Sequence, residues 1–147
     1  MRISVQSEPL APWGLLAEYE QQLNARHHGK HGACASFVGT MRDFNEGDAV
    51  QGMFLEHYPG MTEKALQQLA EEAQAEYGLL DVLLVHRVGE LRPGEPIVLV
   101  AVWSAHRKAA FEACRSLMED LKRRAPFWKR EQLPDGHRWV EKNTTGY

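Results

Sequence analysis

The run Ile97-Val98-Leu99-Val100-Ala101-Val102-Trp103 constrains the fold more than any other stretch of the chain. Seven consecutive apolar residues, rich in β-branched side chains, read as a central strand. The run is far shorter than the ~20 apolar residues that a bilayer crossing needs. The segments around it alternate between strand and helix periods. Arg2 to Gln6 alternates as a short strand. Pro12 suits a first helical residue, and Leu15, Leu16, Tyr19 and Leu23 follow at helical spacing until the helix frays near Arg26 to Gly29. Strands are expected over Gly32–Met41, Val50–His57 and Leu80–Val88, with turns at Asp43–Asp48 and Arg92-Pro93-Gly94. Thr62 is the expected N-cap of a second helix whose inward stripe is Ala65, Leu66, Leu69, Ala70, Ala73 and Tyr77. A third helix starts near Ala105, buries Ala110, Phe111, Cys114, Leu117, Met118 and Leu121, and stops at Ala125-Pro126. Phe127–Gln132 and His137–Glu141 form a closing hairpin turned at Pro134-Asp135-Gly136. The expected architecture is a single α+β domain over residues 1–147, with a mixed or antiparallel sheet, three main helices and a C-terminal β-hairpin.

A chain of 147 residues, 44% hydrophobic, can bury roughly two thirds of its unfolded surface in one core. No signal peptide is read at the N-terminus, where Arg2 passes too soon into Ser4, Gln6 and Glu8, so a cytoplasmic protein is expected. Cys34 and Cys114 stand 80 positions apart at apolar-patterned sites, which excludes zinc-ribbon and CxxC chemistry and favours two small buried hydrophobes. The net charge of −3 argues against a nucleic-acid partner. The average hides an asymmetry, because Ser104–Arg130 carries eight Lys or Arg against three acids, a net +5 that leaves the remainder at −8. A basic segment in an acidic chain points to an anionic ligand, beside the plainer reading of a solvated helix face.

Within that segment the lysines are the sharpest feature. Lys122 falls in the last helical turn, where the macrodipole alone favours a cation. Lys129 follows seven residues later, beyond the bend at Pro126, so both ammonium groups could face one pocket. Close lysines depress one another's pKa, which suits nucleophile, general-base or oxyanion-stabilising roles. His106 and Arg107 open the third helix, where an anion would meet free N–H groups. His86-Arg87 ends a strand, where basic residues often meet solvent or a partner. The cluster His27, His28, His31 sits in a loop beside Lys30, whose charge opposes a metal cation, and no metal is expected. His106 and Lys122 are 16 residues apart on one helix, roughly 24 Å along its axis, so one small substrate cannot touch both in the same chain. Either they serve two sites, or a second copy brings its helix N-terminus to the first copy's lysines. An anion- or RNA-binding module using the 122–130 segment, with Phe127 and Trp128 as stacking groups, is the alternative. A scaffold whose lysines are idle is a third reading.

Several blocks in order resemble the large, catalytic subunit of molybdopterin synthase. They are Gly32-Ala33 with Phe37 to Asp43, Glu56 to Met61, His86 to Gly89, Ser104 to Arg107 with Ala110-Phe111, Leu121-Lys122 with Ala125 to Lys129, and Gly136 with Trp139-Val140. The resemblance implies an α/β-hammerhead fold and a heterotetramer, with a central homodimer sharing its active sites and a small ubiquitin-like sulfur-carrier subunit at each end. It implies that the carrier's C-terminal Gly-Gly thiocarboxylate delivers sulfur twice to cyclic pyranopterin monophosphate, forming the dithiolene of molybdopterin. The pterin is then a substrate, and no cofactor is expected in the chain. Position by position, Lys122 and Lys129 match catalytic lysines, and Phe37, Arg42 and Met118 match pocket residues. His106 and Arg107 match substrate-binding residues contributed by the other copy. The 141–147 tail offers Lys142 as its one basic residue.

Overall fold

The computed structural model describes residues 1–45 and 47–139. The expectations for Val140, Glu141 and the tail with Lys142 lie outside the described residues. In chain order the elements are β1 (Arg2–Gln6), α1 (Pro12–His27), β2 (Ala33–Thr40), β3 (Phe44–Asn45), β4 (Asp48–Ala49), β5 (Gly52–His57), α2 (Met61–Tyr77), β6 (Asp81–Arg87), β7 (Gly89–Leu91), β8 (Pro96–Ser104), α3 (Arg107–Arg124), β9 (Phe127–Leu133) and β10 (Gly136–Trp139).

The apolar run becomes β8, third in a four-stranded sheet of order β1-β6-β8-β2. β1 pairs with β6 in parallel, whereas β6 and β2 flank β8 antiparallel, so the sheet is mixed. An interior strand covered on both faces buries every side chain, which is why neither β6 nor β8 shows a polar alternation. Val82 and Leu84 of β6 pack with Val98, Val100 and Val102 against α2 and α3, through Leu66, Leu69, Ala70, Ala113 and Leu117. Leu83 and Val85 turn the other way with Leu99, Ala101 and Trp103, onto Tyr19 and Leu23 of α1. The second sheet, order β10-β9-β5-β7, is antiparallel throughout and encloses a smaller core of Met41, Val50, Met53, Leu55, Val88 and Leu91. These layers give the expected α+β class, with three helices among the described residues and a C-terminal hairpin.

Four local expectations need correction. Thr62 does not cap α2: the chain turns at Gly60, whose φ of +87° suits glycine, and the helix begins at Met61. Thr62 is therefore inside the first turn and fully buried. Phe111, placed on the buried stripe of α3, is 70% exposed, and Ala113 takes the core position instead. Cys34 is exposed on β2, whereas Cys114 is buried as expected. His86 and Arg87 do not meet solvent at a strand end but are both buried.

Candidate active site

A cavity of about 840 Å³ opens between β2, the last turns of α3, β6 and β9. Its walls include Phe37, Arg42, His86, Met118, Lys122 and Lys129. Cys114, Met118 and Lys122 recur every fourth residue, so they share one face of α3 and all reach the cavity. The helix closes with the Ala125 N–H donating to the Leu121 carbonyl at 3.1 Å, and Pro126 turns the chain into β9. On β9 the strand period sends Phe127, Lys129 and Glu131 inward and leaves Trp128 and Arg130 outward. Helix period and strand period thus aim Lys122 and Lys129 at the same space from opposite sides of one bend. Phe37 comes from the edge strand β2, opposite Val100, and Arg42 follows two residues after that strand.

The electrostatics follow from this crowding. Burial is the main cause that lowers the Lys129 pKa to about 8, followed by the Lys122 ammonium beside it. Arg42 adds to the lowering, and the Glu131 carboxylate opposes it. Glu131 is buried and held at 3.0 Å by Arg138 across the hairpin.

His86 is the cavity residue that sequence reasoning passed over as a site. Its Nδ1 lies 2.8 Å from the Arg87 carbonyl. A carbonyl only accepts, so Nδ1 carries the proton. The ring stacks on Phe127 at 4.1 Å, and burial pushes its pKa down to about 3, so it is neutral. The neighbouring Arg87 guanidinium is anchored by Glu95 and by the Glu90 carbonyl at 3.1 Å. The signal was present in the sequence. Val82, Leu84 and His86 alternate on one strand face, and that face points to α3.

Cys34 and Cys114 also line the cavity. Desolvation raises their thiols to about 12 and about 11, so neither supplies a ready thiolate at neutral pH.

His106 and Arg107 stand exposed at the opposite end of α3, as N-cap and first helical residue, away from this chain's cavity walls. The rest of the basic segment is dispersed. Arg123 pairs with Asp120 and Arg124 with Glu72, both at 2.8 Å, and Arg130 lies over the Phe54 and Trp139 rings. Phe127 faces inward onto His86 while Trp128 faces outward onto Tyr58, so the two aromatics do not form one stacking platform. The RNA-binding alternative therefore loses its surface. In the loop cluster, His27 and His28 are exposed and His31 contacts Asn24 at 3.0 Å. Among the described residues, no group of three or more His, Cys, Asp or Glu is placed to hold a metal ion. Nor is any described helix long and apolar enough to cross a membrane.

A family model described as MoaE protein matches residues 8–124. The molybdopterin synthase catalytic subunit of Pseudomonas aeruginosa is 58% identical over 123 residues, covering 82% of this chain and 82% of that protein. The solved molybdopterin biosynthesis MoaE protein of Burkholderia ambifaria is similar with a TM-score of 0.79 and 46% identity, over 99% of this chain and 92% of that one. The solved molybdopterin synthase of Staphylococcus aureus gives a TM-score of 0.80 at 30% identity, over 95% of this chain and 97% of that one.

Proposed function

The chain belongs to the MoaE protein family, and from that premise we propose that its cavity is a sulfur-transfer site. Its function is that of a molybdopterin synthase catalytic subunit, an enzyme of molybdenum cofactor biosynthesis. The sulfur arrives as the C-terminal Gly-Gly thiocarboxylate of a small ubiquitin-like carrier subunit. It passes, in two rounds, to cyclic pyranopterin monophosphate, and the dithiolene of molybdopterin is the product.

The observation that carries this reading is the convergence of Lys122, Lys129 and Arg42 on one cavity. Thiocarboxylate and substrate phosphate are both anionic, and holding two anions together needs fixed positive charge. Lys122 anchors the thiocarboxylate and transfers the proton. Lys129 and Arg42 stabilise the negative charge that develops during transfer. Phe37 and Met118 form apolar wall against the substrate, and His106 and Arg107 of a second copy grip its phosphate. The protonated thiols of Cys34 and Cys114 fit a site whose sulfur comes on the partner. The working unit is a homodimer with a carrier at each end, in the cytoplasm. The pterin is consumed as substrate, and this reading calls on no resident metal or cofactor.

The direct test mixes the chain with a thiocarboxylated carrier and the cyclic pterin and assays for dithiolene. Product is expected in stoichiometry with carrier consumed, two per pterin; absence of product from folded chain and cognate carrier overturns the reading.

The pH dependence carries a defined sign. Lys129 must be charged to stabilise an anion, and its pKa lies at about 8, so turnover falls as pH rises through about 8. In Lys129→Arg the charge persists, and the alkaline decline moves up or disappears. A rate that instead increases through that range would assign Lys129 as the base.

A further inference from the structure

The two lysines sit on different elements, and what fixes their separation is the bend at Ala125-Pro126. Thr62, on α2, reaches that bend. Its hydroxyl donates to the Pro126 carbonyl at 3.0 Å and accepts from the Tyr58 N–H at 2.9 Å. One proton and one lone pair of this fully buried residue are both used, in bonds that run to the partly exposed Tyr58 turn and Pro126 bend. The Thr62 N–H in turn donates to the Tyr58 carbonyl at 2.8 Å, and the Glu63 carboxylate accepts from the Gly60 N–H at 3.1 Å. The 58–62 segment is thereby a closed loop of fixed shape. It also holds the strand beyond the bend, because the Tyr58 ring packs edge-on against Trp128 at 4.3 Å. Pro126 and Trp128 bracket Phe127, and Lys129 is the next residue.

We propose that Thr62 is a positioning residue for the lysine pair, its hydroxyl tying the Pro126 bend to the loop that starts α2. The proposal rests on reading the lysine pair as the reacting site. Without the hydroxyl the half-buried Pro126 carbonyl loses its protein donor, the bend relaxes, and Lys129 moves relative to Lys122 or admits water. Both changes relieve what depresses the Lys129 amine. The charged groups that act on that amine are Lys122 from α3, Arg42 after β2 and Glu131 on its own strand; His86 from β6 and Arg115 and Glu119 from α3 line the same cavity, with apolar Leu55 opposite on β5.

The experiment follows the Lys129 side chain by NMR titration in the whole chain, with no substrate present. In Thr62→Val the midpoint rises from about 8 towards the ordinary 10.5, by about one pH unit. In the turnover assay kcat falls on the order of tenfold while KM changes little. Thr62→Ser keeps the hydroxyl and restores both values. Thr62→Ala supplies the same comparison if valine is not accommodated. A folded variant without the hydroxyl whose Lys129 titrates as in the parent overturns the proposal, whatever its melting temperature. So does a Thr62→Ser shift as large as that of valine, since methyl packing would then set the bend. The titration needs no turnover, so it reports on the Lys129 position whether or not sulfur is transferred, and a failure of the sulfur-transfer reading is told apart from a failure here.

Discussion

Replacing Lys122 with alanine lowers product formation by roughly 10²–10⁴-fold, the range for removing a positioned proton-transfer group. The chain stays folded. Lys122 is half-buried in the last turn of α3, alanine is the better helix former, and Arg123 and Arg124 still place cations at the C-terminal end of the helix. A second signature accompanies the loss. The Lys122 ammonium is the largest cause after burial of the lowered Lys129 pKa, so in Lys122→Ala the Lys129 midpoint moves up from about 8. Three measurements settle the role: dithiolene formed, carrier bound and thermal melting. Unchanged product with normal melting and carrier binding makes the lysine idle and the chain a scaffold. Loss of product together with loss of carrier binding assigns Lys122 to anchoring rather than proton transfer.

Much of this arrangement was legible in residue order, and the exceptions have physical causes. The Ile97–Trp103 run identified the central strand because burial on both faces removes the polar alternation. The seven-residue spacing across the Pro126 bend allowed Lys122 and Lys129 to face one pocket without requiring it, and their match to catalytic lysines came from the family resemblance. Thr62 misled because a threonine before an apolar period reads as a cap, while Gly60 with positive φ starts the helix earlier and frees the hydroxyl for Pro126. Phe111 misled for a different reason. The 3.6-residue period admits it beside Ala110, yet Ala113, Cys114 and Leu117 already fill the sheet-facing stripe, and the larger ring remains at the cavity rim. The three-residue β7 was too short to carry a period. His86 was hidden by its neighbour: an Arg beside it suggested solvent, but Glu95 and the Glu90 carbonyl hold the two terminal nitrogens of that guanidinium inside.

Two inactive variants are expected to regain activity when mixed, and this is the strongest consequence of the proposed shared site. His106 and Arg107 lie at the end of α3 away from Lys122, roughly 24 Å along the axis. The cavity rim meanwhile exposes Phe37 at 42% and Phe111 at 70%, apolar surface suited to cover by a second copy. In the proposed two-fold dimer, each site would take its lysines from one chain and its Arg107 from the other. Lys122→Ala and Arg107→Ala homodimers each carry the defect in both sites. A heterodimer of the two concentrates both defects in one site and leaves the other intact. After dissociation and equimolar random reassembly half the dimers are mixed, so about one quarter of parental turnover returns. Subunits that are mixed without exchange stay inactive, which supplies the control. No recovery after demonstrated exchange would place Arg107 and Lys122 at sites within one chain, and an Arg107→Ala homodimer with parental activity would remove Arg107 from the site altogether.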